Sequence, residues 1–286
     1  MKNIQGVKRL STDLYAVWEG TQLHVLSCTT SSLKCIRKIE PVDLGEEYEY
    51  LQSEIFGNNL YTLSINADKE RDVQWTYLKV TSLETGQMLR SRRFGLVSRK
   101  AEIKLLDGFI HILVLGGVDP SELNLWFTKF ELSEVHFPSM KLLGEIDYDI
   151  SIRDLKFSPT ESNMIFLLSS PTDPTSPGSL SKYRVDYNMK SAPLPMELIS
   201  SYPTANSKNS QLCVRQTRTF IVSPDVPQIR SVENQGSEKT NFSYPFQQYD
   251  MSQMKQAVCE PKLNRLFVLA KGKDKSSYLL AYNGDD

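Results

Sequence analysis

Short apolar runs, each leaving a polar turn, recur along this chain: "TDLYAVWEG" (12–20), "NNLYTLSI" (58–65), "DGFIHILVL" (107–115), "SNMIFLLSS" (162–170), "TRTFIVS" (217–223) and "NRLFVLAKG" (264–272). They are rich in aromatic and β-branched residues and follow Gly, Asn, Asp or Thr, which is how a β-strand leaving a tight turn reads. Helical periodicity is hard to find anywhere. The run centres fall near Tyr15, Tyr61, Ile110, Phe166, Phe220 and Phe267. They are roughly 46 to 56 residues apart, within the spacing of propeller blades.

Each run is followed, after a loop, by a strand of alternating character: "WTYLKVTSL" (75–83), "LNLWFTKFEL" (123–132), "SKYRVDY" (181–187) and "SSYLLAY" (276–282). A more polar strand closes several units, as in "LKCIRKIE" (33–40), "QMLRSRRF" (87–94) and "MKLLGEID" (140–147), and another precedes the run, as in "AEIKLLDG" (101–108) and "IRDLKFSP" (152–159). Four strands per unit make a radial blade. One such unit cannot bury both of its faces, whereas stacked blades bury a continuous core. The pattern predicts an all-β propeller of about six four-stranded blades in a single domain, at 1–45, 46–98, 99–150, 151–202, 203–250 and 251–286. A pair of β-sandwich domains is the competing architecture, and the end-to-end repeat favours the propeller.

Two stretches carry a resemblance. "LKVTSLETGQML" (78–89) resembles the third-to-fourth strand passage of a WD40 repeat, with Leu83-Glu84-Thr85-Gly86 at the turn, and "IRDLKFSPTESNMIFLLSS" (152–170) resembles its first two strands. Thr81-Ser82 stands where that family has Trp-Asp, and no Gly-His opens a unit. The resemblance implies a divergent WD40-like propeller.

In such a blade the turns between first and second strands are tight, while the second-to-third loops "NADKERDV" (66–73), "GGVDPSE" (116–122), "SPTDPTSPGS" (170–179) and "KGKDKS" (271–276) are long. The blade-to-blade connections leave from the same face, and function concentrates on loops held by a rigid scaffold. Asp68, Lys69, Glu70, Arg71, Asp72, Asp119 and Glu122 are therefore the candidate partner-binding residues. The last unit stops soon after its third strand, so its completion falls to Asn3–Arg9 or, at an open seam, to a strand or blade from a partner.

Charge and chemistry change this picture little. The chain has 286 residues, 40% hydrophobic and 23% charged, with a formal net charge of -1. Disordered, membrane-spanning and strongly basic nucleic-acid-binding classes are all disfavoured. The N-terminus lacks a signal-peptide h-region, and the longest apolar run, Phe109–Val118, is too short to span a bilayer. Cys28, Cys35, Cys213 and Cys259 form no CxxC pair or regular framework, which fits a reduced cytoplasmic or nuclear compartment, and Cys28 and Cys35, which could lie on neighbouring strands of a hairpin, are expected to be buried free thiols.

His24, His111 and His136 have no second ligand-type residue at metal spacing, and no hydrolase elbow, Walker loop, dinucleotide fingerprint or zincin motif occurs. The acidic clusters Glu46-Glu47-Tyr48-Glu49 and Asp147-Tyr148-Asp149 read as solvated loops, and Asn241-Phe242-Ser243 is a sequon without a secretory context. Neither a cofactor nor a metal is expected.

One charged stretch stands out: "LRSRRFGLVSRK" (89–100) gathers Arg90, Arg92, Arg93, Arg99 and Lys100 with no acid. Alternation places Arg90 and Arg92 with Met88 and Phe94 on one side of a strand, and Arg93 with Leu89 and Ser91 on the other. Basic side chains on both sides suit an outermost strand protected against unwanted pairing. The expectation is a non-enzymatic interaction scaffold, a subunit of an intracellular complex. Two alternatives are a propeller that binds nucleic acid or phospholipid through the basic stretch, and a metal-dependent propeller hydrolase.

Overall fold

The computed structural model describes residues 4–9, 14–19, 22–28, 33–39, 48–68, 73–83, 85–119, 121–132, 137–146, 149–173, 175–188, 193–204, 210–215, 218–223, 228–233, 238–243, 256–260, 265–271 and 277–283. They form β-sheets in which every strand lies antiparallel to its chain neighbour. The first sheet is β1 (Ile4–Arg9), β2 (Leu14–Glu19), β3 (Gln22–Cys28) and β4 (Leu33–Ile39); the second is β5 (Tyr48–Phe56), β6 (Asn59–Asp68), β7 (Val73–Ser82) and β8 (Met88–Phe94). The third is β9 (Val97–Leu106), β10 (Phe109–Gly117), β11 (Asn124–Glu131) and β12 (Lys141–Glu145), and the fourth is β13 (Ile150–Phe157), β14 (Met164–Pro171), β15 (Gly178–Val185) and β16 (Met196–Thr204). The fifth comprises β17 (Gln211–Val214), β18 (Arg218–Ser223), β19 (Gln228–Glu233) and β20 (Glu238–Ser243). The last comprises β21 (Gln256–Glu260), β22 (Arg265–Lys271) and β23 (Ser277–Asn283).

The fold is an all-β propeller. The expectation of about six four-stranded blades is corrected in one respect: among the described residues five sheets have four strands and the last has three. Of the segment expected to complete that last sheet, the described part, β1 (Ile4–Arg9), belongs to the first sheet instead, where it pairs antiparallel with β2 in register Ile4↔Glu19 to Arg9↔Tyr15. The described strands divide into two compact units, one carrying β1–β12 and the other β13–β23.

Each apolar run becomes the second strand of its sheet, and in β6, β10, β14 and β18 burial on both faces explains why it reads as continuous rather than alternating. All of β10 after Phe109 is buried. In the first unit, Ile110, Ile112 and Val114 of β10 pack with Tyr61, Leu63, Leu78, Val80 and Phe94 of the second sheet, while Leu60, on the other face of β6, packs with Ala16, Leu23 and Val25 of the first. In the second unit, Phe166, Leu168 and Leu180 pack with Leu212, Val214, Ile221 and Val232.

Turn chemistry sets the hairpins. Asp107 and Gly108 both have positive φ (52° and 80°), which makes the β9–β10 connection a type I′ turn. In two blades the carbonyl of an Asn just before the second strand accepts a backbone N–H from the end of the third: Leu83 N to Asn58 O at 2.8 Å, and Val185 N to Asn163 O at 2.8 Å. At the turn likened to a WD40 repeat, Ser82 does the closing. Its carbonyl accepts Gly86 N (2.9 Å) and its hydroxyl accepts Thr85 N (3.2 Å).

The repeat is clearest where the register slips. Each four-stranded sheet has one bulged residue in its outermost strand, at Ile36, Leu89, Leu143, Ile199 and Lys239. The innermost strands of the first four sheets are bulged at Gln5, Leu51, Arg99 and Arg153. Bulges bend a strand and increase its twist, so their recurrence curves the first four blades alike. Polar ties join neighbouring blades: Thr76 Oγ1 bonds Ser98 Oγ and accepts Ser98 N at 3.1 Å, and Asp154 Oδ2 accepts Leu212 N at 2.6 Å.

Opposite the Arg99 bulge, β10 approaches β9 so closely that a Cβ on Gly116 would overlap the Val97 carbonyl oxygen and lie 2.9 Å from Ser98 Cα. Backbone cannot yield as a side-chain tip can. Gly116→Ala is expected to cost about 1–3 kcal/mol, read as a lowered urea midpoint with an unchanged slope.

Candidate functional site

The second-to-third strand loops can be followed in two blades. In the β10–β11 loop the exposed Asp119 carboxylate accepts the Ser121 backbone N–H at 2.8 Å and the Ser121 hydroxyl at 2.7 Å, and Glu122 N closes onto Asp119 O at 3.0 Å. These bonds hold the Asp119 carboxyl below the usual carboxylate range, the backbone N–H contributing most. In the β14–β15 loop Asp173 does the same, accepting Thr175 N at 2.9 Å, Thr175 Oγ1 at 2.8 Å and Ser176 Oγ at 3.2 Å. Its carboxyl is lowered for the same reasons, first the backbone N–H and then the hydroxyl. The sequence reading passed over Asp173, Thr175 and Ser176; the signal was present as Asp-Pro-Thr in one loop against Asp-Pro-Ser in the other.

Val118, Glu122 and Asp119 are exposed beside this turn. Asp68 ends β6, and Lys69, Glu70, Arg71 and Asp72 lie outside the described residues, as do His136 and the pair Asp147-Tyr148.

The basic stretch is divided by the fold. Arg90, Arg92 and Arg93 belong to β8, the outermost strand of the second sheet, whereas Arg99 and Lys100 belong to β9, the innermost strand of the third. The bulge at Leu89 changes the expected alternation. Arg90 and Arg92 pair with Val80 and Leu78, Arg93 with Tyr77, and Met88 with Thr81, so Met88 shares the face of Arg93 rather than that of Arg90.

Each arginine of β8 is laid on a neighbour. Arg90 Cζ sits 5.2 Å from the centre of the Phe137 ring, Arg93 Cζ sits 5.3 Å from that of Trp75, and Arg92 Nη2 donates to Ser139 Oγ at 3.5 Å. Trp75, Phe137 and Ser139 come from β7 and from the segment before β12, and no spacing in the sequence ties them to the arginines.

Among the described residues no group of three or more His, Cys, Asp or Glu is arranged to hold a metal ion. Cys28 and Cys35 lie on the paired strands β3 and β4, and Cys35 is an exposed thiol whose Sγ is 3.9 Å from His24 Nδ1. The exposure of Cys35 corrects the expectation that it is a buried thiol, and Cys213 is buried and disulfide-bonded. Every other cysteine is far from it in the chain, so spacing could not reveal the bond, and the argument for a reduced compartment loses that support.

His111, buried in β10 with its ring 5.7 Å from that of Phe127, has its pKa lowered from 6.5 to about 4, by burial first and by the Lys129 charge second. At pH 7 it is neutral in the folded and the unfolded chain. Between pH 6.5 and about 4 only the unfolded chain takes up the proton, so stability must fall as pH drops through that window. Urea midpoints measured across it should decline more steeply for the natural protein than for His111→Gln.

No protein-family model and no curated protein matches the chain. Solved structures do. A PQQ-bound aldose sugar dehydrogenase from Streptomyces coelicolor aligns at a TM-score of 0.60 with 8% identity, covering 98% of this chain and 94% of its own. An α-L-arabinanase from Penicillium chrysogenum, solved with arabinobiose, aligns at 0.58 with 8% identity, covering 98% and 92%. A chain of the mitotic checkpoint complex aligns at 0.50 with 10% identity, covering 100% and 92%.

At such identities the likeness establishes the fold alone, and the expected β-propeller is borne out at that level. The expectation of a non-enzymatic chain is corrected. Enzymes stand among the structural neighbours, so this fold does not separate catalysts from binding modules.

Proposed function

We propose that this propeller is a platform that binds other proteins through the loops joining the second and third strands of its blades. The observation that carries this reading is the recurrence of one rigid turn, Asp119 to Ser121 and Asp173 to Thr175, at the same place in two blades. A loop tied by its own carboxylate loses less freedom when a partner docks, so more of the contact energy appears as affinity. The blade core holds the loop ends, and one loop presents Val118 with 59% of its surface exposed. A chain of the mitotic checkpoint complex shares this fold, which supports a role in assembly.

Affinity capture from the native cell, with cross-linking and mass spectrometry, tests the reading. Proteins in stoichiometric amount are expected, cross-linked near 118–122 and 172–177 and lost when Asp119 and Asp173 are both replaced by alanine. A chain that purifies alone and monomeric overturns it.

A further inference from the structure

The loop platform leaves β8 unexplained. This strand ends its sheet, and its exposed side chains mix apolar and cationic groups: Met88 is 47% and Leu89 52% exposed, next to Arg90, Arg92 and Arg93. Elsewhere in the fold the exposed Arg184 meets Glu197 at 2.9 Å, and the half-buried Lys182 meets Glu161 at 3.4 Å. Among the described residues neither Arg92 nor Arg93 meets a carboxylate. Their neighbours are a serine hydroxyl and a tryptophan ring. Both contacts orient the guanidinium without a carboxylate among the described residues, and an oriented guanidinium is well suited to one.

We propose that the outer edge of β8 binds an acidic protein segment, which adds as a fifth strand to the second blade. This deepens the reading of the chain as a protein platform and depends on it. Three features select an extended acidic segment. The edge of an outermost strand offers backbone groups to a further strand. Arg92 and Arg93 are consecutive and so lie on opposite faces of the sheet, as their pairing with Leu78 and Tyr77 shows. An added strand also sends consecutive side chains to opposite faces, so two adjacent acids would meet both arginines.

Met88 and Leu89 give the same segment an apolar footing at one end. Arg and Met are enriched at protein interfaces, whereas exposed apolar side chains contribute nothing to a phosphate backbone. The geometry therefore favours a peptide over a nucleic acid.

The probe is a fluorescent peptide of about eight residues, alternating Val and Thr around a central Glu-Asp pair, titrated into the full chain by anisotropy. Replacing its acids by Gln and Asn, or replacing Arg92 and Arg93 by glutamine, should each weaken binding about tenfold. A peptide of equal charge with two prolines within the strand should not bind. In the natural protein, amide exchange within 88–94 should slow when the first peptide is added, a readout that does not depend on any variant folding.

Absence of binding, equal binding of the proline peptide, or tighter binding of a single-stranded oligonucleotide or phosphatidylserine vesicles through the same arginines would overturn the proposal. Native capture cross-linked at the loops would still stand in that case, which separates failure at β8 from failure of the platform reading.

Discussion

The central constraint on this protein is that its second strands are apolar on both faces. A strand such as β10, buried from Ile110 to Gly117, cannot be satisfied by one sheet with one wet side. It needs another sheet against each face, and those sheets raise the same demand in turn. Radial blades meet it by repetition, and other features serve that packing: the type I′ turn that keeps the β9–β10 hairpin short, the bulges that recur in the four-stranded blades, and Gly116, where two backbones come too close for a Cβ. Polar ties join neighbouring blades, Thr76 with Ser98 and Asp154 with the Leu212 amide, and pairing these groups avoids the cost of leaving them buried and unsatisfied.

Such packing frees the blade periphery from structural duty. The outermost strands can vary in charge and exposure, and the second-to-third loops can be shaped without disturbing the core. Hence the two surfaces proposed for recognition differ in kind. The loops are rigid because Asp119 and Asp173 satisfy nearby N–H and hydroxyl groups. The edge of β8 is ordered because its arginines rest on Trp75, Phe137 and Ser139. The same architecture supports enzymes among its structural neighbours, so what this chain does must be argued from these surfaces and not from the propeller.

Much of the fold was legible in the chain. The six apolar runs became β2, β6, β10, β14, β18 and β22, and "LKCIRKIE", "QMLRSRRF" and "MKLLGEID" became fourth strands, because period-two patterning and turn residues are local signals. The site was far less legible. The run from Arg90 to Lys100 read as one patch, but a chain passing from the outer strand of one blade to the inner strand of the next carries Arg99 and Lys100 away. The bulge at Leu89 moved Met88 to the other face, since one extra residue in a ladder reverses everything beyond it.

By itself, then, the sequence determined where strands begin and end, how they repeat and which of them must be buried on both sides. Those properties depend on residues a few positions apart and on the identity of turn residues such as Asp107-Gly108. Tertiary structure alone decided which side chains share a surface: Arg93 with Trp75, Arg90 with Phe137, Cys213 in a disulfide, and Gly116 against Val97. Each of those outcomes depends on strands meeting across a register that bulges reset, and no local pattern encodes it.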